Sequence, residues 1–156
     1  MTGLKKWGLF LFLGAVVFLC LPLLAQSQHG HKANPGTADA TANFPPMPGP
    51  GKKVPLGDDF YLTYGFDKKP KLGTVIMKVE IFAKGGKKDT SFEVKADYGM
   101  PSMKGAHESG DQAFKLSQKG DYLLPVNIVM PGGWEIRMTL LKAGKVIFRG
   151  SYQFDV

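Results

Sequence analysis

The sequence predicts an all-β protein, an immunoglobulin-like antiparallel β-sandwich of about seven strands. Three observations predict it. From residue 58 to residue 156, apolar and polar residues alternate in short runs, and a period of two marks strands with one buried face. Turn residues separate the runs: Lys84-Gly85-Gly86-Lys87, Gly105, Gly110-Asp111, Lys119-Gly120-Asp121, Pro131-Gly132-Gly133 and Ala143-Gly144-Lys145. No segment there shows the 3.6-residue period of an amphipathic helix. Seven short strands in about 100 residues is the spacing of a two-sheet sandwich, with a closed barrel as the alternative architecture.

Residues 1–27 read as a leader, either a signal peptide or an N-terminal membrane anchor. Lys5 and Lys6 precede an apolar run from Trp7 to Leu24, and Ala25-Gln26-Ser27 offers small residues for cleavage. Uncleaved, the apolar run is at the lower limit for spanning a bilayer. Both outcomes leave the lysines cytoplasmic and export the domain to a periplasmic or extracytoplasmic location. Cys20, the one cysteine, lies within this leader. The exported part therefore has no disulfide and no thiolate zinc site.

Residues 28–57 hold six of the eleven prolines, with Gly, Ala, Thr and Asn filling much of the rest. That composition predicts a disordered, partly extended Pro/Gly-rich linker. His29-Gly30-His31 opens it. In an exposed chain that pair is either a polar junction or an open, poorly selective trap for Cu(II) or Zn(II).

The strands of the 58–156 domain follow in order. Phe60, Leu62 and Tyr64 alternate, as do Val75, Met77, Val79 and Ile81, then Phe92, Val94, Ala96 and Tyr98. Phe114 and Leu116 form a short run. Tyr122 to Met130, Trp134 to Leu140 and Val146 to Phe154 complete the set, and Ala143-Gly144-Lys145 should join the last two as a hairpin. Met77 and Met138 occupy core positions, and Trp134 is the large core aromatic.

The formal charge is +7. Losing Lys5 and Lys6 with the leader leaves 7 − 2 = +5. The lysines are spread along the chain, without a basic block or an Arg-rich helix, so nucleic acid is not an expected partner.

The chemistry-bearing stretch runs from Met100 to Trp134. It contains Met100-Pro101-Ser102-Met103-Lys104-Gly105-Ala106-His107 and, later, Met130-Pro131-Gly132-Gly133-Trp134. Thioether and imidazole are soft or borderline donors that suit Cu(I) better than Mg or Ca. Met100 and Met103, three apart, can point the same way in a turn. His107 can reach the same spot, and Met130 ends a strand that can finish at the same pole. The competing reading is that the methionines fill gaps against Trp134 and Tyr98, leaving His107 as a solvated loop residue. Ser102, His107 and Asp111 include the types of a nucleophile, base and orienter. No nucleophile elbow or oxyanion glycine motif accompanies them, and no paired carboxylates or phosphate loop appear. No catalytic residue is expected, and the protein is not expected to be an enzyme.

Residues Tyr98 to Met138 resemble the YtkA-like family and its FixH-like relatives. The carriers are Met100-Pro101-x-Met103, His107, Gly120-Asp121-Tyr122 and Met130-Pro131-Gly132-Gly133-Trp134-Glu135-Ile136. The resemblance covers roughly residues 58–156 and implies an exported or membrane-tethered immunoglobulin-like domain without catalytic activity. Some relatives are linked to copper handling, metal efflux or oxidase assembly. One departure is that Lys104 and Gly105 follow the Met-Pro-x-Met core, where such relatives often carry further Met or His. The expected function is metal-related binding: Cu(I) binding or delivery through Met100, Met103 and His107, with Met130 as a further candidate. The alternative is a non-catalytic interaction module that docks onto a membrane or periplasmic complex for efflux or oxidase assembly.

Overall fold

The structure is a computed structural model that describes residues 42–156. The leader, His29, His31 and residues 28–41 of the expected linker lie outside the described residues. Among the described residues, no helix is long and apolar enough to cross a membrane.

Among the described residues, nine strands form two sheets. They are β1 (Val54–Leu56), β2 (Phe60–Phe66), β3 (Gly73–Ala83), β4 (Phe92–Gly99), β5 (Gln112–Ala113), β6 (Lys115–Leu116), β7 (Tyr122–Ile128), β8 (Gly133–Lys142) and β9 (Lys145–Asp155). One sheet has the order β1-β2-β3-β7-β6 and the other β5-β4-β8-β9. Neighbouring strands run antiparallel. Strands β2-β3-β7-β6 take the places A-B-E-D of an immunoglobulin sandwich, and β4-β8-β9 take C-F-G. The expected fold class is what the chain adopts.

The count exceeds seven for two local reasons. The run at 114–116 divides: Gln112–Ala113 pair with β4 and Lys115–Leu116 pair with β7, so the chain changes sheets at buried Phe114. Strand β1 is the other addition.

Alternation produces the core as expected. Val75, Met77, Val79 and Ile81 of β3 face Trp134, Ile136, Met138 and Leu140 of β8 in one buried cluster, joined by Tyr122, Leu124, Val126 and Ile128 of β7. Their polar neighbours in sequence point outward. The β8–β9 hairpin closes through Ala143 and Gly144, both at positive φ (50° and 74°), as a two-residue turn that follows the twist of its strands requires.

The expected linker is corrected from Phe44 onward. Met47 N–H donates to Ser151 O (2.7 Å) and Ser151 N–H donates to Pro45 O (2.9 Å), forming a parallel bridge between Pro46 and the edge of β9. That bridge uses the carbonyl before Pro46 and the N–H after it. The missing proline donor therefore costs nothing at this edge. Tyr64 Oη donates to Pro48 O, and Gly51 N–H donates to Tyr64 O (2.8 Å). Burial first, then Tyr152, raises the Tyr64 pKa above its ordinary value, which keeps the hydroxyl a donor. Val54 and Leu56 are buried beside β2, with exposed Pro55 between them. The folded unit thus includes residues 44–57, and a boundary at residue 58 cuts through it.

Register also fixes the ends of the sandwich. Gly73 pairs with Ile128, Gly99 with Glu135 and Gly133 with Asp155. The loops 67–72, 100–111 and 129–132 and the end of β9 therefore share one pole, called here the Met-Pro pole.

A chain beginning at residue 58 loses the burial of Val54 and Leu56, worth about 1.5–3 kcal/mol each. Compared with residues 42–156, it is expected to lose on the order of 3–6 kcal/mol in urea unfolding. Equal midpoints would show that residues 44–57 do not belong to the fold.

Candidate metal centre at the Met-Pro pole

Strand β4 stops because Pro101 follows Met100. Met100 is still extended (φ −103°, ψ 115°), and Pro101 opens a single 3₁₀ turn, Pro101–Met103. A proline is tolerated there because the first N–H of a turn needs no partner. Met103 N–H donates to Met100 O (2.9 Å) and Ala106 N–H to Met103 O (3.1 Å), so the loop coils through two successive turns. It then returns to β4: Ser109 N–H donates to Tyr98 O, and Tyr98 N–H donates to Ser109 Oγ (both 2.9 Å). The returning backbone presses on Gly99. A Cβ there would stand 2.9 Å from His107 O, so only glycine fits without a shift.

A charge cluster clamps the base of this loop. Asp97 is 2% exposed and is paired with Arg137 of β8. Ser109 Oγ lies 3.2 Å from Asp97 Oδ1, and Glu108 Oε1 lies 3.2 Å from Arg137 Nη2. Burial works to lower the Arg137 pKa, but the Asp97 and Glu108 carboxylates outweigh it and raise the pKa above its ordinary value. The guanidinium stays charged and holds both strands and the loop together.

The second Met-Pro corner is held from beneath. Trp134 Nε1–H donates to Met130 O (3.1 Å). Gly132 and Val156 exchange a pair of backbone bonds, at 2.8 and 3.1 Å. The two corners touch: a Cβ on Gly132 would lie 2.9 Å from Met100 Cε, so the methionine methyl rests against the 129–132 turn.

The four expected ligands are brought to one pole but not to one depth. Met100 is 6% exposed and belongs to the core, and Met130 is partly buried against it. Met103 is 39% exposed, and His107 is half-buried on the same loop. In kind, thioether and imidazole fit a soft monovalent ion. By position, Met103 and His107 fit as accessible ligands, whereas Met100 serves packing as it stands. Among the described residues, no three of His, Cys, Asp and Glu gather as a harder ion would need.

Beside the loop, a groove of about 370 Å³ opens between Pro101–Ser102 and the end of β9, over Gly133, Gln153 and Asp155. Gly133 leaves the notch because it has no side chain. Sequence reasoning missed this groove and the Asp97–Arg137 clamp. The sequence carries no signal for the clamp: Asp97 falls in the polar phase of β4, and only the structure shows it buried beside Ala96.

Removing the Asp97 charge strands Arg137 beside a half-exposed partner. Asp97→Asn is expected to cost about 2–4 kcal/mol in urea unfolding and to make the 100–109 loop more susceptible to protease. Glu108→Gln, at the solvent side of the same arginine, is expected to cost under about 1 kcal/mol. Equal costs would mean that the clamp is not centred on Asp97.

No family model matches the chain, and no curated protein matches it. The YtkA-like resemblance therefore rests on the residues from Tyr98 to Met138 alone. Solved structures with a similar chain path include FetP of uropathogenic Escherichia coli, expressed in the periplasm, at 15% identity and a TM-score of 0.46, over 69% of this chain and 93% of that one. A DUF4426 family protein of Pseudomonas aeruginosa aligns at 11% identity and a TM-score of 0.47, over 67% and 96%. A copper-bound variant of the same E. coli FetP aligns at 16% identity and a TM-score of 0.46, over 67% and 93%.

Proposed function

We propose that this is an exported, non-catalytic domain that binds Cu(I) at the Met-Pro pole and passes it to a membrane or periplasmic complex. The observation that carries the reading is the seat of Met100 Cε against Gly132. It joins two corners thirty residues apart, so three thioethers and one imidazole share a pole. Met103 is exposed, His107 and Met130 are partly buried, and Met100 is covered. Weak, exposed thioether ligation suits transfer better than storage. The adjacent Lys104 ammonium repels a cation and weakens binding further.

The test is a Cu(I) titration of residues 42–156 against a competing chelator under reducing conditions. This form omits His29 and His31, so binding belongs to the domain. Sub-micromolar affinity is expected, and Met100→Leu combined with Met103→Leu should abolish it while leaving the core filled. Unchanged affinity in the double variant overturns the reading.

A second reading, the interaction module, has its own observation. Along β9, Ser151 turns its N–H and C=O away from β8, toward residues 45–47. Gln153 and Asp155 share that phase, and among the described residues no backbone partner covers them. This open edge beside the groove could add a strand from a partner. Gln153→Pro removes an outward donor and should abolish capture of such a complex from solubilised membranes. The methionine double variant should leave that capture intact. If both variants capture alike, the edge is not the docking site.

A further inference from the structure

The Met-Pro pole has a second corner, over the sheet of β3 and β7, and its side chains differ from those around Met100. Leu72 precedes Gly73, Val129 follows Ile128, and Gly73 and Ile128 are register partners. Leu72 and Val129 therefore each lie one residue past the last pair of the ladder. Each is 55% exposed, without core to cover.

Three lysines flank this aliphatic pair. The 67–72 loop is closed by Asp67, whose N–H donates to Ile76 O (2.9 Å) and whose carboxylate accepts Ile76 N–H (2.8 Å). That bond occupies the one carboxylate in the loop. Lys68, Lys69 and Lys71 follow and are exposed. Among the described residues, none of the three is in an ion pair, whereas Lys78, Lys88, Lys95 and Lys142 all are. Glu108, Asp111, Glu135 and Asp155, the other carboxylates at this pole, belong to the strands and loops of the opposite sheet; Glu108 is held by Arg137, and Glu135 accepts from Gln153 Nε2. At the far pole the lysines are interleaved with acids: Lys88 pairs with Asp121 and Lys142 with Asp89.

We infer that this corner is a membrane-docking tip, seated on a bilayer with anionic headgroups. Lys68, Lys69 and Lys71 supply charge complementary to lipid phosphates. Leu72 and Val129 enter the interface between them, with the lysine stems lying along the apolar boundary and the ammonium groups at headgroup level. Five side chains of this kind hold a free domain weakly. Nineteen residues separate Leu24 from Phe44, a span of at most about 65 Å. A retained leader would thus keep the tip near the bilayer at a millimolar effective concentration. The inference stands apart from the copper reading, since it uses none of the Met or His residues.

The test is co-sedimentation of residues 28–156 with vesicles at low salt, either of phosphatidylcholine alone or of phosphatidylcholine mixed equally with phosphatidylglycerol. Circular dichroism confirms the fold of each variant. Binding is expected only to the anionic vesicles. The triple change Lys68→Gln, Lys69→Gln and Lys71→Gln should weaken it about a hundredfold. Leu72→Asp with Val129→Asp should remove the part that persists in high salt. A far-pole control, Lys84→Gln with Lys87→Gln and Lys145→Gln, should change it little. The inference is overturned by equal binding to neutral vesicles or by binding to neither. It is also overturned if the far-pole control loses as much as the tip variant, which would indicate net charge alone.

Discussion

Trp134 is 2% exposed, and its indole N–H has one place to go, the carbonyl of Met130. A buried donor without a partner would cost about 1–3 kcal/mol, so the ring can fill the core only if the 129–132 turn comes back over it. That one bond fixes the turn. The fixed turn then presents Gly132 to Val156 on one side and to the methyl of Met100 on the other. The pole is therefore an extension of core packing, and the Met100 loop inherits its position from a residue that never reaches the surface. The Asp97–Arg137 pair supports the same loop from the outer face of the second sheet.

The fold was legible because a period of two is written into β3, β4, β7 and β8 with few breaks. In a sandwich with one buried face per strand, that period determines which residues meet. The beginning of the domain was not legible. Val54-Pro55-Leu56 is too short for a period, and prolines at 45, 46, 48 and 50 signal a breaker when read locally. Whether a proline breaks a strand depends on which neighbour needs its N–H. At Pro46 none does, because Ser151 bonds to the residues on either side. That partner is about a hundred residues away, beyond what local patterning can report.

The candidate site was legible in kind and not in depth. Residue types and spacing marked Met100, Met103, His107 and Met130 as soft donors, and register brings them to one pole. Which of them faces water depends on tertiary contact: Met100 is covered because a glycine lies opposite, and Met103 is open because it ends a turn on the rim. The clamp was illegible for the same reason. Asp97 and Arg137 each look like ordinary outward residues of amphipathic strands. They become a pair only because β4 and β8 are register neighbours and the 107–109 segment folds back over them.

The bridge between Pro46 and Ser151 also bears on the order in which the chain can fold. It joins residues 45–47 to the last strand of the described residues, so loop closure over most of the domain must come first. The rest of the 44–57 segment has near partners, since Val54–Leu56 pair with β2 and Gly51 N–H donates to Tyr64 O, so only the stretch at 45–47 waits for β9. The covered part of the β9 edge is therefore completed late in assembly.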